Sequence, residues 1–110
     1  MAMKTDMTKN MKLYIDATNS EKLTVKVGDE EIIAEARKEK SQMLLPLIVE
    51  LLNRKNKKLT DLTEIEVNPG PGSFTGIRVG VAIAQALGWS LKIPVNGRKV
   101  GKDRPINIKY

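Results

Sequence analysis

The sequence predicts one α/β domain built on a mixed sheet, with elements in the order β-β-β-α-β-α-β. Three observations carry that expectation. The first third of the chain alternates apolar and polar residues, which is the period of half-buried strands. From Ser41 onward the apolar residues fall at helical spacing instead. The stretch "NPGPGSFTGIRVG" at 68–80 then joins a short strand to a second helix through glycines and prolines. A length of 110 residues suits one domain with a real core and leaves no room for two lobes around a cleft.

The elements follow in order. In "MKLYIDAT", Leu13, Ile15 and Ala17 share one face while Tyr14, Asp16 and Thr18 share the other. "KLTVKV" repeats the pattern with Leu23, Val25 and Val27. "GDE" at 28–30 reads as a hairpin turn, because Gly28 accepts the positive φ such turns need. "EIIAEAR" returns as the third strand of a meander. In "SQMLLPLIVELLNRKN", Leu44, Leu47, Ile48, Leu51 and Leu52 repeat with a helical period. Ser41 is the expected N-cap. Pro46 suits only the first turn, so the regular helix is expected to begin a few residues after Ser41. The cluster Arg54, Lys55, Lys57 and Lys58 suits the negative end of that helix. "LTEIEV" at 62–67 is a strand, Thr75–Leu91 a second helix and "IPV" at 93–95 a last short strand. A three-strand meander followed by helix, strand, helix and strand is the arrangement of one lobe of the ribonuclease-H-like, actin-like ATPase fold. The later strands would join in parallel by right-handed crossovers. The expected organisation is an N-terminal extension at 1–10, the lobe at 11–97 and a basic tail at 98–110.

Composition narrows the chemistry. Cysteine is absent, which removes disulfides, thiol nucleophiles and thiolate zinc sites. Histidine is absent too, and with it the commonest general base and transition-metal ligand. No catalytic residue and no metal site is therefore expected. The opening "MAMKTDMTKN" has no apolar core of a signal peptide, and the apolar runs are short for a bilayer, so a cytoplasmic protein without membrane contact is expected. The net charge of +6 is unevenly placed. From Lys92 to the end, six basic side chains face the single Asp103, whereas the rest of the chain is close to neutral. Such a tail either touches RNA or simply keeps the chain in solution. Trp89, Phe74, Tyr14 and Tyr110 are scattered in sequence, so no aromatic platform for RNA is legible.

The glycine stretch fails the familiar fingerprints. Gly70, Gly72 and Gly76 carry one residue too many for the dinucleotide pattern, and no Lys follows them as a phosphate-binding loop requires. Ser73 follows Gly72 directly and Phe74 precedes Thr75, so the G-x-S-x-G spacing of a hydrolase elbow fails, and there is no His to activate the serine. What remains is strand, turn and helix, with Ser73 or Thr75 as the cap. The free N–H groups of a helix start also attract anions, so Gly70, Gly72, Ser73 and Thr75 form a candidate anion site. Turn and phosphate site stay open on the pattern alone.

The second helix carries a stripe of small residues, Gly76, Gly80, Ala84 and Gly88. Each Gly inside a helix costs ~1 kcal/mol relative to Ala, so close approach of another backbone must offset it. Ile77, Val79, Val81, Ile83 and Leu87 flank the stripe and leave only a narrow polar side. A helix so widely apolar is covered on two sides. Either the two helices cover each other, or a partner does. The partner reading nominates Leu44, Leu47, Ile48, Leu51, Gly76, Ile77, Gly80, Ala84 and Leu87 as interface residues.

The segments "MKLYIDATN", "KSQMLLPLIVELL" and "NPGPGSFTGIRVGVAIAQALGWSLKIPVNG" resemble the TsaB (YeaZ) family. That glycoprotease-like family takes part in making threonylcarbamoyladenosine in tRNA. The resemblance runs from Met11 to Gly97, and GPGSFTGIRVG is its most specific part. It implies a two-lobed actin-like ATPase fold and a subunit that does not itself catalyse the transfer. It implies pairing with a related catalytic subunit, TsaD, through the helices that start near Ser41 and at Ser73, alongside the ATPase TsaE. A homodimer is expected when the chain is alone, with tRNA contacted indirectly. No cofactor is expected, and ATP or ADP would sit only at a shared interface. Two departures stand out. The family's second lobe has no counterpart in this sequence, and Lys40 stands where the family usually has His. Two other readings stay open: a stand-alone nucleotide- or RNA-binding module, and a degenerate ATPase- or peptidase-like protein. For the latter, Asp16 is the one acid at the strand end where such enzymes hold metal and phosphate. The residues themselves favour Asp16 as a turn residue bonding backbone N–H groups.

Overall fold

β1 (Lys12–Asp16) lies at the centre of the sheet because it is paired on both sides. β2 (Lys22–Val27) runs antiparallel to it, with Leu13 opposite Val27 and Ile15 opposite Val25. β4 (Glu64–Val67) runs parallel to it, with Leu13 beside Ile65 and Ile15 beside Val67. β3 (Glu30–Glu35) pairs antiparallel with β2 at the edge, giving the order β3-β2-β1-β4. These relations come from a computed structural model that describes residues 10–109. The expected extension at 1–10 therefore lies outside the described residues except for Asn10.

The register explains the core. Leu13, Ile15, Leu23, Val25, Val27, Ile65 and Val67 all point to one face and are fully buried there. Burying each such side chain stabilises the fold by about 1.5–3 kcal/mol relative to leaving it in water. The opposite face carries Lys12, Tyr14, Lys26, Glu64 and Glu66 and meets solvent, where Lys12 and Glu66 form an exposed 2.9 Å ion pair. Both helices cover the apolar face. α1 (Lys40–Arg54) lies over β2 and β3, α2 (Phe74–Leu91) lies over β1 and β4, and the helices pack against each other. The β1–β4 connection through α1 is thus the expected crossover to a parallel strand.

Three local expectations change. α1 begins at Lys40 with Glu39 as its cap residue, and neither Ser41 nor any other side chain caps it. Pro46 lies seven residues in, where its missing N–H leaves the Gln42 carbonyl without an α-helical donor. Gln42 and Pro46 are both exposed, so that carbonyl stays open to solvent, and the helix continues through the proline. The strand expected at 93–95 contracts to Val95 alone, bridged to Ile65 in parallel and to Arg98. Pro94 cannot donate to a ladder. Asn96 completes the β4 edge with its side chain: Oδ1 accepts from the Val67 N–H at 2.8 Å and Nδ2 donates to the Val67 carbonyl at 3.0 Å. The third change is the C-terminal segment. Residues expected to form a tail run back over the domain, with Ile106 and Ile108 against the core and the Lys109 N–H bonded to the Pro69 carbonyl.

Candidate functional site

Two regions are candidates, and each is assembled from residues far apart in the chain. The first lies at the carboxyl ends of the parallel neighbours β1 and β4, where α/β sheets commonly bind ligands. Asp16 ends β1 and is half-buried. Its Oδ1 accepts from the Thr18 N–H at 2.9 Å and the Thr18 hydroxyl at 2.7 Å. Its Oδ2 accepts from Asn68 Nδ2 at 3.2 Å and from the Tyr14 hydroxyl at 3.4 Å. Burial pushes the carboxyl up, but the Thr18, Asn68 and Tyr14 donors outweigh it and hold Asp16 below its ordinary value. Asp16 is therefore the turn residue the sequence suggested, with both oxygens occupied. Asn68 escaped the sequence reading, and nothing in its flanks signals it. Only the parallel pairing of β1 with β4 brings it to Asp16.

The glycine loop closes the same edge. The Asn68 carbonyl side-chain oxygen accepts from the Gly70 N–H at 3.0 Å, and the Ser73 N–H donates to the Thr18 carbonyl at 2.6 Å. Ser73 caps α2, accepting from the Gly76 N–H at 3.2 Å, while Thr75 is exposed and is not the cap. Of the expected anion site, Gly70 and Ser73 thus already use their N–H groups within the chain. Gly70 has a φ of +110° and is packed against the Lys109 backbone, so any side chain there would collide. The loop is built as a tight seat for α2. Lys40 fixes the neighbouring turn after β1: it is 3% exposed, and its ammonium donates to the Asn19 carbonyl at 2.7 Å. Burial holds that ammonium below the usual lysine range, with the Glu39 carboxylate opposing the effect. Among the described residues, no cluster of three acidic side chains is placed to hold a metal ion.

The second region is the helical layer, and here the expected interface needs correction. A Cβ on Gly80 would lie 3.3 Å from the Ala17 Cβ and 3.5 Å from Val67 Cγ2. One on Gly76 would strike the Ala17 carbonyl, and one on Gly88 would strike Val95. The small stripe is the surface on which α2 lies against its own sheet. Gly76, Ile77, Gly80 and Ala84 are buried there, as are Leu44, Ile48 and Leu51 on α1. None of these seven can meet a partner. The misreading has a physical cause: a close-approach stripe looks the same in sequence whether its neighbour is the chain's own sheet or another chain. Only Leu47 and Leu87 of the nominated set retain partial exposure. The apolar helix residues turned outward are others: Leu45 (42% exposed) and Val49 (38% exposed), one turn apart on α1, and Phe74 and Trp89 towards the two ends of α2, while Val79 and Ile83 are partly buried against the core. α2 is long and apolar enough to cross a bilayer by composition, yet its glycine stripe is spent on β1 and β4, as in the core helix of a folded domain.

This geometry agrees with the comparisons to known proteins. The family model described as tRNA N6-adenosine threonylcarbamoyltransferase (TsaD) matches residues 32–97. The tRNA threonylcarbamoyladenosine biosynthesis protein TsaB of Bacillus subtilis is 38% identical over 88 residues, 76% of this chain and 38% of that protein. The Escherichia coli TsaB is 38% identical over 60 residues, 54% of this chain and 26% of that protein. The solved structure of YeaZ from Pseudomonas aeruginosa superposes with a TM-score of 0.73 at 26% identity, over 79% of this chain and 42% of that one. The chain thus spans well under half the length of these relatives. Its sheet order, helical layer and glycine loop are those of an actin-like, ribonuclease-H-like lobe, and the chain belongs to the threonylcarbamoyltransferase-related family, with the TsaB (YeaZ) proteins.

Proposed function

We propose that this chain is a non-catalytic subunit in the formation of threonylcarbamoyladenosine in tRNA, docking on a TsaD-like catalytic subunit through the outer side of α1 and α2. The observation that carries it is the outward apolar pair Leu45 and Val49 on α1, in a helical layer whose inner side is already filled by the sheet. A water-exposed Leu and Val one turn apart on a helix are what a helix-lined interface uses as anchors. The same side serves self-association when the catalytic subunit is absent. Catalysis by the chain itself finds no support in Asp16, whose two oxygens are engaged by Thr18, Asn68 and Tyr14. A TsaE-like ATPase would join through the catalytic subunit, and any shared nucleotide would lie between subunits.

The test is reconstitution with the TsaD-like protein of the same source, followed by size-exclusion chromatography with light scattering. The wild type and Arg104→Ala should form a complex, and the double variant Leu45→Glu/Val49→Glu should not. A complex that survives the double variant but is lost in Arg104→Ala would replace the helical reading by one based on the C-terminal segment. Failure of the wild type to form any complex would overturn the proposal.

A further inference from the structure

The fold brings together what the sequence keeps apart. Trp89, near the end of α2, lines one cleft with Lys92, Lys99 and Lys102. The indole is 66% exposed, yet it is not loose. One side of it lies on the backbone at Gly101, so closely that a Cβ there would be 3.0 Å from Cε3 and 3.5 Å from Cη2. Gly101 has a φ of +87°, a second reason for glycine at this position. The turn that carries the lysines is fixed by Asp103. Its Oδ2 accepts from the Lys99 N–H at 2.8 Å, while the Lys102 and Asp103 N–H groups donate to the Lys99 carbonyl. The one acid of this segment is thereby spent on the turn. Among the described residues, no ion pair engages Lys92, Lys99 or Lys102.

We propose that this cleft is a binding site for a single-stranded nucleic-acid segment, with Trp89 stacking on an unpaired base and Lys92, Lys99 and Lys102 meeting the adjacent phosphates. A pinned, exposed aromatic ring beside unpaired ammonium groups is the combination that single-strand binding requires. An aromatic side chain stacks on bases only where they are already unstacked, so a loop or free end is the ligand and a continuous duplex is not. The complementarity of charge decides between a strand and an apolar protein surface: three cations around one ring would be left desolvated and unpaired against the latter. The site stands on the cleft alone and does not rest on the docking of a catalytic subunit.

Trp89 is the sole tryptophan of the chain, so its emission reports the contact directly. The probe is an oligouridylate of about a dozen nucleotides, within the usual span of such sites. Titrating it into the full chain should quench Trp89, and log K should fall against log salt with a slope of about −2 for three phosphate contacts. Lys99→Gln/Lys102→Gln should weaken binding and flatten that slope to about −0.7. Trp89→Ala, followed by anisotropy of a labelled strand, should weaken binding about tenfold or more. Both variants change exposed side chains, and circular dichroism melting would confirm that they fold. Absence of quenching and of binding, equal affinity in Trp89→Ala, equal affinity for a duplex of the same sequence, or equally tight binding of polyglutamate would each overturn the proposal.

Discussion

Gly80 lies where α2 packs against β1 and β4, and a Cβ there would sit 3.3 Å from that of Ala17. A leucine there would favour the helix by up to ~1 kcal/mol through propensity. It would also drive a side chain into the space held by Ala17, Val67 and Ile15. Overpacking of that kind costs about 1–3 kcal/mol or more, so the packing term wins. Gly80→Leu should therefore lower the urea midpoint of the isolated chain, where a partner-facing glycine would leave it unchanged or raised. Asp16 gives a second test at this scale. Its folded carboxyl is held below the ordinary value of about 3.9, so the unfolded chain takes up the proton first as pH falls. The stability it contributes is present above that ordinary value and is lost as pH falls through the lower, folded one. Denaturation midpoints followed from neutral pH to below 4 should decline less steeply in Asp16→Asn than in the wild type. An identical decline would remove Asp16 from the account.

At the scale of elements, β1, β2 and β4 were legible because each alternates, and alternation fixes which face is buried; β3 carries Ile32, Ile33 and Ala34 in a row, so its faces were not. Leu13, Ile15, Leu23, Val25 and Val27 all lie where their period puts them. Ser73 as the cap of α2 was legible as one of two hydroxyl residues beside a glycine-rich turn. The start of α1 was not, because Glu39 makes no side-chain cap and the sequence offered Ser41 instead. Nor was the outward pair on α1: the period singled out Leu44, Leu47, Ile48, Leu51 and Leu52, but it does not say whether that face meets the chain's own sheet or a partner. Pro46 lies on that same outward side and removes one helical hydrogen bond. Pro46→Ala should raise the stability of the chain by about 1–3 kcal/mol in chemical denaturation, since alanine restores the bond and carries the best helix propensity. No gain would mean that the helix is already broken at that point in solution.

At the scale of the molecule, one face of the sheet is largely polar and meets water, the other is filled by two helices, and α1 turns Leu45 and Val49 outward. A lobe so built is complete as a core and incomplete as a surface. The cleft at Trp89 was out of reach of the sequence for a related reason: Gly101 and the Lys99–Asp103 turn reach the end of α2 only because residues 98–109 fold back on the domain. Alone at moderate concentration, the chain should run as a two-fold dimer through the outer helical side. Leu45→Glu/Val49→Glu should convert it to a monomer while shifting the melting free energy by no more than about 0.5 kcal/mol, as expected of exposed positions. Docking through α1 is tested by a calorimetric titration of the TsaD-like subunit with the wild type, with Leu45→Glu/Val49→Glu and with Arg104→Ala. Heat and a saturable isotherm are expected for the wild type and Arg104→Ala, and none for the folded double variant. An unchanged isotherm for a folded Leu45→Glu/Val49→Glu chain would contradict docking through α1.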